Sequence, residues 1–519
     1  MRRDVWARPQ DFLCFISHTM NVKLSGLFLK MQAAGALALA LLLSTALQPV
    51  SAQSEPVWTP QEQIPFYTDE WPPLMIADRD RTVHAFNVES SEGTNKVIYY
   101  RQWSLSQGWS RPSDILIIDR AATRRPLLGA VADGTGRFHL VYYLDEAAGG
   151  LIMHTAAPMV QANRAPAWSP ARPIVQDADA VASAALLSDG LGRLVLVYSG
   201  QALGAGVYST YSTDGGLTWS SPVAVFLAFG PNRSPYAIRL ATGEAGRIHA
   251  VWSVVNERGV GDYVFYARSE PDLSAWNKPV QLAAREGDDY SANWPAIAAF
   301  RDDLIVVYQD SFPATLWTTR SRDGGLTWSA PVRPFPHVGE AETPALLVDG
   351  AGVLHMLHGA RIGNPAVYGM WHSVWLGDRW GDFKPVISWQ GNEITYRGRV
   401  VPFGPSAPQA VISQGNVLLA AWRHDVREST PATYSYAVLA APELPVQTPP
   451  APAPTPTPAT LDAVATAAAP TRTPIPDLTS ETSDDVLSSP ALPLVAGLAP
   501  VLAVVAIVFV ARLARKPRR

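Results

Sequence analysis

The chain repeats itself between residues 53 and 441, and a repeat of this length admits few folds. A tryptophan closely followed by proline recurs at Trp109–Pro112, Trp219–Pro222, Trp276–Pro279 and Trp328–Pro331, with looser copies at Trp168–Pro173 and Trp380–Pro385. Successive tryptophans in this series are 59, 51, 57, 52 and 52 residues apart. That period suits one four-stranded blade of a β-propeller.

A second element falls between the tryptophans. Gly136–Tyr142, Gly246–Trp252 and Gly352–Leu357 share a Gly-x-x-His pattern running into apolar residues. Gly192–Tyr198 has Val195 in place of the histidine, Thr82–Phe86 is an earlier copy, and Asp303–Tyr308 and Asn416–Trp422 complete the set. Each reads as the second strand of a blade, entered through a tight turn. Seven second strands against six downstream tryptophans leave the last blade one strand short. Trp58, 51 residues before Trp109, is in phase with the series. The expected architecture is therefore an all-β, seven-bladed propeller whose N-terminal strand closes the last blade, because an open ring would leave an unpaired sheet edge. A six-bladed ring with an irregular insert is the alternative.

Both ends of the 519-residue chain carry membrane-related signals. Ala33–Leu47 is apolar, follows Lys23 and Lys30, and leads into Val50-Ser51-Ala52, a small-x-small cleavage pattern. Residues 1–52 read as a secretory signal peptide with an upstream extension. Residues 442–490 are rich in Pro, Thr and Ala and form a spacer that buries too little to fold. Residues 491–511 are apolar and long enough to span a bilayer, and 512–519 form a cationic tail. The positive-inside rule puts that tail in the cytoplasm and the propeller outside, at the cell membrane. The single cysteine, Cys14, precedes the cleavage site, so the sequence offers the mature chain no disulfide framework or thiolate chemistry. A formal net charge of −4 gives no basic field of the kind nucleic-acid binders use.

Two segments carry a family resemblance. Ser212-Thr213-Asp214-Gly215-Gly216-Leu217-Thr218-Trp219 and Ser321-Arg322-Asp323-Gly324-Gly325-Leu326-Thr327-Trp328 resemble the Asp-box (BNR) repeat, Ser-x-Asp-x-Gly-x-Thr-Trp, of sialidase-like propellers. Ser269–Trp276 is a degraded copy in which Asp272 is displaced by one position. In the motif the carboxylate accepts bonds from a tight turn, the glycines supply positive φ, and the tryptophan ring covers the blade flank. Asp214 and Asp323, with Ser212, Gly216, Thr218, Trp219, Ser321, Gly325, Thr327 and Trp328, are therefore expected to be structural. The resemblance implies that the boxes lie on the face opposite the ligand site.

The links between blades and the loops from second to third strands share that other face, around the mouth of the channel. They contribute Arg125, Asp145, Arg233, Glu257, Asp289, Tyr290, Arg361, Tyr396 and Arg397 as candidate ligand-binding residues. A sialidase needs arginines for the sugar carboxylate, a Tyr–Glu nucleophile pair and an acid/base aspartate. Those residue types are present. The Arg-Ile-Pro element that the family carries near its first blade is not matched, since the nearest segment is Arg125-Pro126-Leu127. No catalytic set is assigned, and Thr433-Tyr434-Ser435 reads as an ordinary third strand. The recurrent His84, His139, His249 and His355 are spread around the ring, which favours packing or a bond to a neighbouring blade over one metal site. The sequence calls for no cofactor and no metal. The expected role is recognition of a carbohydrate or protein ligand at the propeller mouth, on a chain held to the membrane by its C-terminal helix and without nucleic acid. An exo-acting glycoside hydrolase of sialidase type and a cell-envelope scaffold are the alternatives.

Overall fold

The computed structural model describes residues 55–446, apart from 79, 91–94, 120–125, 147–148, 180–182, 190–191, 228–231, 286, 288–290, 302, 311–314, 336–337, 340–342, 364–366, 391–393, 397–398, 402–403 and 425–429. The expected signal peptide, most of the linker, the apolar segment 491–511 and the cationic tail lie outside these residues. No helix among the described residues is long and apolar enough to cross a membrane.

The chain is all-β and folds into antiparallel meanders. The first comprises Leu74–Ala77, Val83–Ser90, Lys96–Ser104 and Ser113–Ile118. The second runs Leu127–Ala132, Arg137–Glu146, Gly149–Pro158 and Arg172–Ala178. The third has Ala184–Ser188, Leu194–Gly200, Gly206–Ser212 and Val223–Leu227. The fourth is Arg233–Thr242, Ile248–Asn256, Gly261–Arg268 and Val280–Ala284. The fifth pairs Asn293–Phe300, Asp303–Asp310 and Thr315–Ser321, with Val332 bridged to Thr318 at its edge. The sixth is Ala345–Val348, Leu354–Ile362, Val367–Val374 and Lys384–Gln390. The seventh pairs Ser406–Ser413, Val417–Arg423 and Thr433–Val438, and its outer strand is Glu62–Gln63 from the other end of the chain. All seven second strands expected from the repeat are strands here, and Thr433–Ser435 starts a third strand.

Burial explains why the second strands lack polar alternation. Every residue of Leu194–Gly200 is buried, because a neighbouring meander covers each face. Outer strands such as Lys384–Gln390 are half-buried or exposed throughout. The first strands adjoin one another in order, and that of the seventh meander adjoins that of the first, giving a propeller-like array of curled sheets.

The repeated tryptophans sit at the joints. Trp168 meets Phe86 edge-on at 6.0 Å, Trp219 meets His154 at 5.5 Å, and Trp328 meets Tyr266 at 4.7 Å. Trp276 donates to Ser209 Oγ at 2.8 Å and Trp380 to Thr318 Oγ1 at 3.1 Å. Trp109 meets Tyr434 of the seventh meander at 5.6 Å, and Trp58 meets His372 of the sixth at 5.8 Å. Each ring therefore leans on the meander before its own. Trp58 does this for the seventh joint, where Thr59 N–H also donates to Tyr436 O at 3.0 Å.

Candidate functional site

The first strands of the fourth, fifth and seventh meanders are bulged at matching places, between Tyr236 and Arg239, Asn293 and Ala296, and Ser406 and Gln409. At each bulge a non-glycine residue takes the left-handed conformation: Ala237 at φ 53°, Trp294 at 53° and Ala407 at 50°. Such positions are disfavoured for L-residues and recur where a side chain is re-aimed. Trp294 N–H is held by Ser253 Oγ at 3.1 Å and Asn293 Oδ1 at 2.8 Å. Its ring stands edge-on to Tyr236 with centroids 5.1 Å apart.

These bulged strands, with the first strand of the sixth meander and Trp71, enclose a cavity of about 310 Å³. Three half-buried aromatic residues line it, Trp71, Tyr236 and Trp294, beside the polar side chains of Arg239, Thr343 and Gln409. The Arg423 guanidinium lies 4.7 Å from the Trp71 ring centroid and donates to Glu70 Oε2 at 2.7 Å. An aromatic wall with a few polar groups is the usual composition of a site for a small organic ligand.

The residues singled out in the sequence fall elsewhere. Arg233 donates to the buried Asp262 at 2.9 Å, and Arg285 bonds the other oxygen of Asp262 at 3.2 Å. The Asp262 bond raises the Arg233 pKa above the usual arginine range. This guanidinium thus fastens a corner of the fourth meander. Glu257 is exposed and accepts from Asn232 at 3.4 Å in the same corner. Asp145 is exposed at the end of a second-meander strand, and Arg361 is half-buried near the end of a sixth-meander strand. None of these four is among the described residues lining the cavity. Arg125, Asp289, Tyr290 and Arg397 lie outside the described residues. Tyr396 ends the short strand Ile394–Tyr396.

Both Ser-x-Asp-x-Gly-x-Thr segments close as hydrogen-bonded turns. Asp214 Oδ1 accepts from Ser212 Oγ (2.8 Å) and Thr218 N–H (2.9 Å), and Oδ2 accepts from Thr218 Oγ1 at 2.5 Å. Asp323 repeats this with Ser321 and Thr327 at 2.8, 2.9 and 2.5 Å. The bonds, that from Thr327 Oγ1 first, hold the Asp323 carboxyl at about 2. In the degraded copy Asp272 Oδ1 accepts only locally, from the N–H and hydroxyl of Ser274.

The recurrent histidines are buried and bond within their own meanders, which fits the packing alternative and not the bond to a neighbouring blade. His139 links Asp133 (3.0 Å) to His154 (3.1 Å), and His355 links Asp349 (3.2 Å) to His372 (2.9 Å). His84 links Asp78 (2.9 Å) to Tyr100 (2.7 Å), and His249 bonds Tyr266 at 2.7 Å. A turn aspartate six residues before the histidine was the available signal, and Gly243 stands there in the fourth meander. Burial holds His154 and His372 at about 3 and His249 at about 4.

Sequence reasoning missed Trp71, Tyr236 and Trp294 as residues of this cavity. Their convergence depends on strands far apart in the chain.

No protein-family model and no curated protein matches the chain. Among solved structures, it is similar to a PL25 ulvan lyase bound to -[GlcA(1-4)Rha3S]-, at 13% identity over 73% of this chain and 96% of that one, TM-score 0.49. It is similar to the BP39L lectin from Burkholderia pseudomallei at 12% identity over 73% of this chain and 99% of that one, TM-score 0.46. The endosialidase of phage phi92 is 13% identical over 84% of this chain and 76% of that one, TM-score 0.40. At such identities and TM-scores these likenesses carry nothing over to the chemistry of this chain.

Proposed function

We propose that the chain is a seven-bladed propeller of the Asp-box kind that binds a carbohydrate at the mouth of its channel, outside a membrane to which residues 491–511 tether it. The observation that carries the binding reading is the convergence of Trp71, Tyr236 and Trp294 on one cavity with Arg239, Thr343 and Gln409. Sugar rings present apolar C–H faces that pack on aromatic rings, while guanidinium, amide and hydroxyl groups bond their hydroxyls. These lining groups hold a ligand; they are not the paired carboxylates on which glycosidic hydrolysis relies. Recognition is therefore favoured over turnover. The count of seven blades is supported by seven joints, each with its own tryptophan, including Trp58 at the last.

The test is binding of the purified full chain to an oligosaccharide panel, followed by titration calorimetry on any hit. Trp294→Ala is expected to weaken binding about ten-fold, since an aromatic contact is worth about 1 kcal/mol beyond its area. Unchanged affinity in both Trp294→Ala and Trp71→Ala would remove the cavity from consideration.

A further inference from the structure

The aromatic cavity spans the seam where the two ends of the chain meet. Glu62–Gln63 is the outer strand of the seventh meander, and Leu74–Ala77 begins the first. Residues 64–73 cross from one to the other, and Trp71 lies on that crossing. Ile64 N–H donates to Ala432 O at 3.1 Å, and Ala432 N–H donates to Asp69 O at 2.9 Å, which seats the crossing on the seventh meander. Trp71 N–H donates to Asp69 Oδ1 at 3.2 Å, and the Tyr67 hydroxyl donates to Trp71 O at 2.6 Å. The buried Pro72 and Pro73 follow, and a residue before proline is confined to extended backbone. The Trp71 main chain is thus fixed by its own segment.

Its ring is held from the other end of the chain. Arg423 closes the second strand of the seventh meander, paired with Ser406 beside the bulge at Ala407. Its guanidinium lies 4.7 Å from the centre of the Trp71 ring and donates to Glu70 Oε2 at 2.7 Å. Glu70 is buried, and a buried carboxylate needs a cation beside it. One guanidinium therefore engages both the Trp71 ring and the residue before it. The seventh meander also contributes Ala407 and Gln409 to the cavity wall. Side chains from both sides of the seam thus line one cavity.

We propose that Arg423 is a positioning residue for the ligand, acting through the Trp71 ring, and that the cavity is complete only while residues 64–71 are seated on the seventh meander. The proposal rests on the reading of this cavity as a carbohydrate site. By linkage, a sugar bound there favours the closed seam as much as the closed seam favours the sugar. The outer strand at the seam is two residues long, and so short a pairing opens ahead of the buried strands. The bound sugar therefore protects the seam more than the rest of the ring.

The experiment measures calorimetric affinity and amide hydrogen exchange of the full chain with cellohexaose, xylohexaose, mannohexaose and oligogalacturonate. Arg423→Lys keeps a cation for Glu70 but loses the flat guanidinium on the indole, and should weaken binding about five-fold. In a Trp71→Ala background the same change should cost nothing further, because Arg423 acts only through the ring. At saturating sugar the Ile64 and Ala432 amides should exchange more slowly, while Ser220 N–H, bonded to Tyr211 O in the third meander, should not change. Unchanged affinity in Arg423→Lys, or an undiminished loss in the absence of the Trp71 ring, overturns the positioning role. Equal slowing at all three amides, or slowing at none, overturns the coupling to the seam. If none of these sugars binds the unmodified chain, the carbohydrate reading fails first and this proposal falls with it.

Discussion

At the hairpin end of the third and fifth meanders, serine, aspartate and threonine satisfy one another inside a glycine turn, and the same geometry appears twice. At the mouth end of the fourth, fifth and seventh, the backbone is forced into the left-handed region at Ala237, Trp294 and Ala407, and half-buried aromatic rings surround a cavity. One end carries repeated, internally bonded turns; the other carries bulged first strands whose side chains line a cavity. Repetition is what stacking like units requires, whereas an aromatic wall with a few polar groups is the usual setting of a small ligand. The hairpin end is accordingly read as the frame and the mouth as the site.

Acid should break this contrast most strongly. His154, His372 and His249 are held neutral by burial, at about 3, 3 and 4 against an ordinary 6.5. The unfolded chain binds more protons between those values, so stability is complete above pH 6.5 and falls as pH drops toward 4. Denaturant midpoints at pH 7, 5.5 and 4.5 should decline steeply, and His154→Tyr should flatten the slope. A flat profile would mean the histidine pairs are not buried in solution.

Gly325→Ala should follow in size. A methyl against the Tyr266 hydroxyl, at a positive φ, is expected to cost about 3 kcal/mol or more. Thermal denaturation reads the loss, and glycan affinity of the folded fraction should not change. If affinity falls in parallel, the two ends are coupled and the division into frame and site fails. Trp294→Ala should show the converse, an affinity loss of about ten-fold with a smaller change in melting temperature. The smallest effect expected is from Ala237→Gly. Relief of left-handed strain at this buried residue should stabilise the fold by about 1 kcal/mol, with slightly weaker binding as the bulge loosens.

Much of the frame was legible because its signals are local. Gly-x-x-His followed by an apolar run is a turn entering a strand, and Ser-x-Asp-x-Gly-x-Thr is a turn whose bonds span seven residues. Even the pairing of the chain's two ends was readable, since Trp58 keeps the phase of the series. The histidine partners were not foreseen because His154 and His372 belong to the next strand, where no repeat marks them. The partner of Arg233 was hidden for a related reason. Charge in a loop is visible in the sequence, but the buried Asp262 that engages Arg233 is recognised only once strand ends meet.

The sequence by itself determined the period, the strands, the Ser-x-Asp-x-Gly-x-Thr turns and the need for an N-terminal strand, because backbone hydrogen bonding and turn chemistry act over a few residues. The tertiary structure alone decided which side chains face the cavity. Trp71, Tyr236 and Trp294 come from segments far apart in the chain, and only the packing of curled sheets brings them to one cavity.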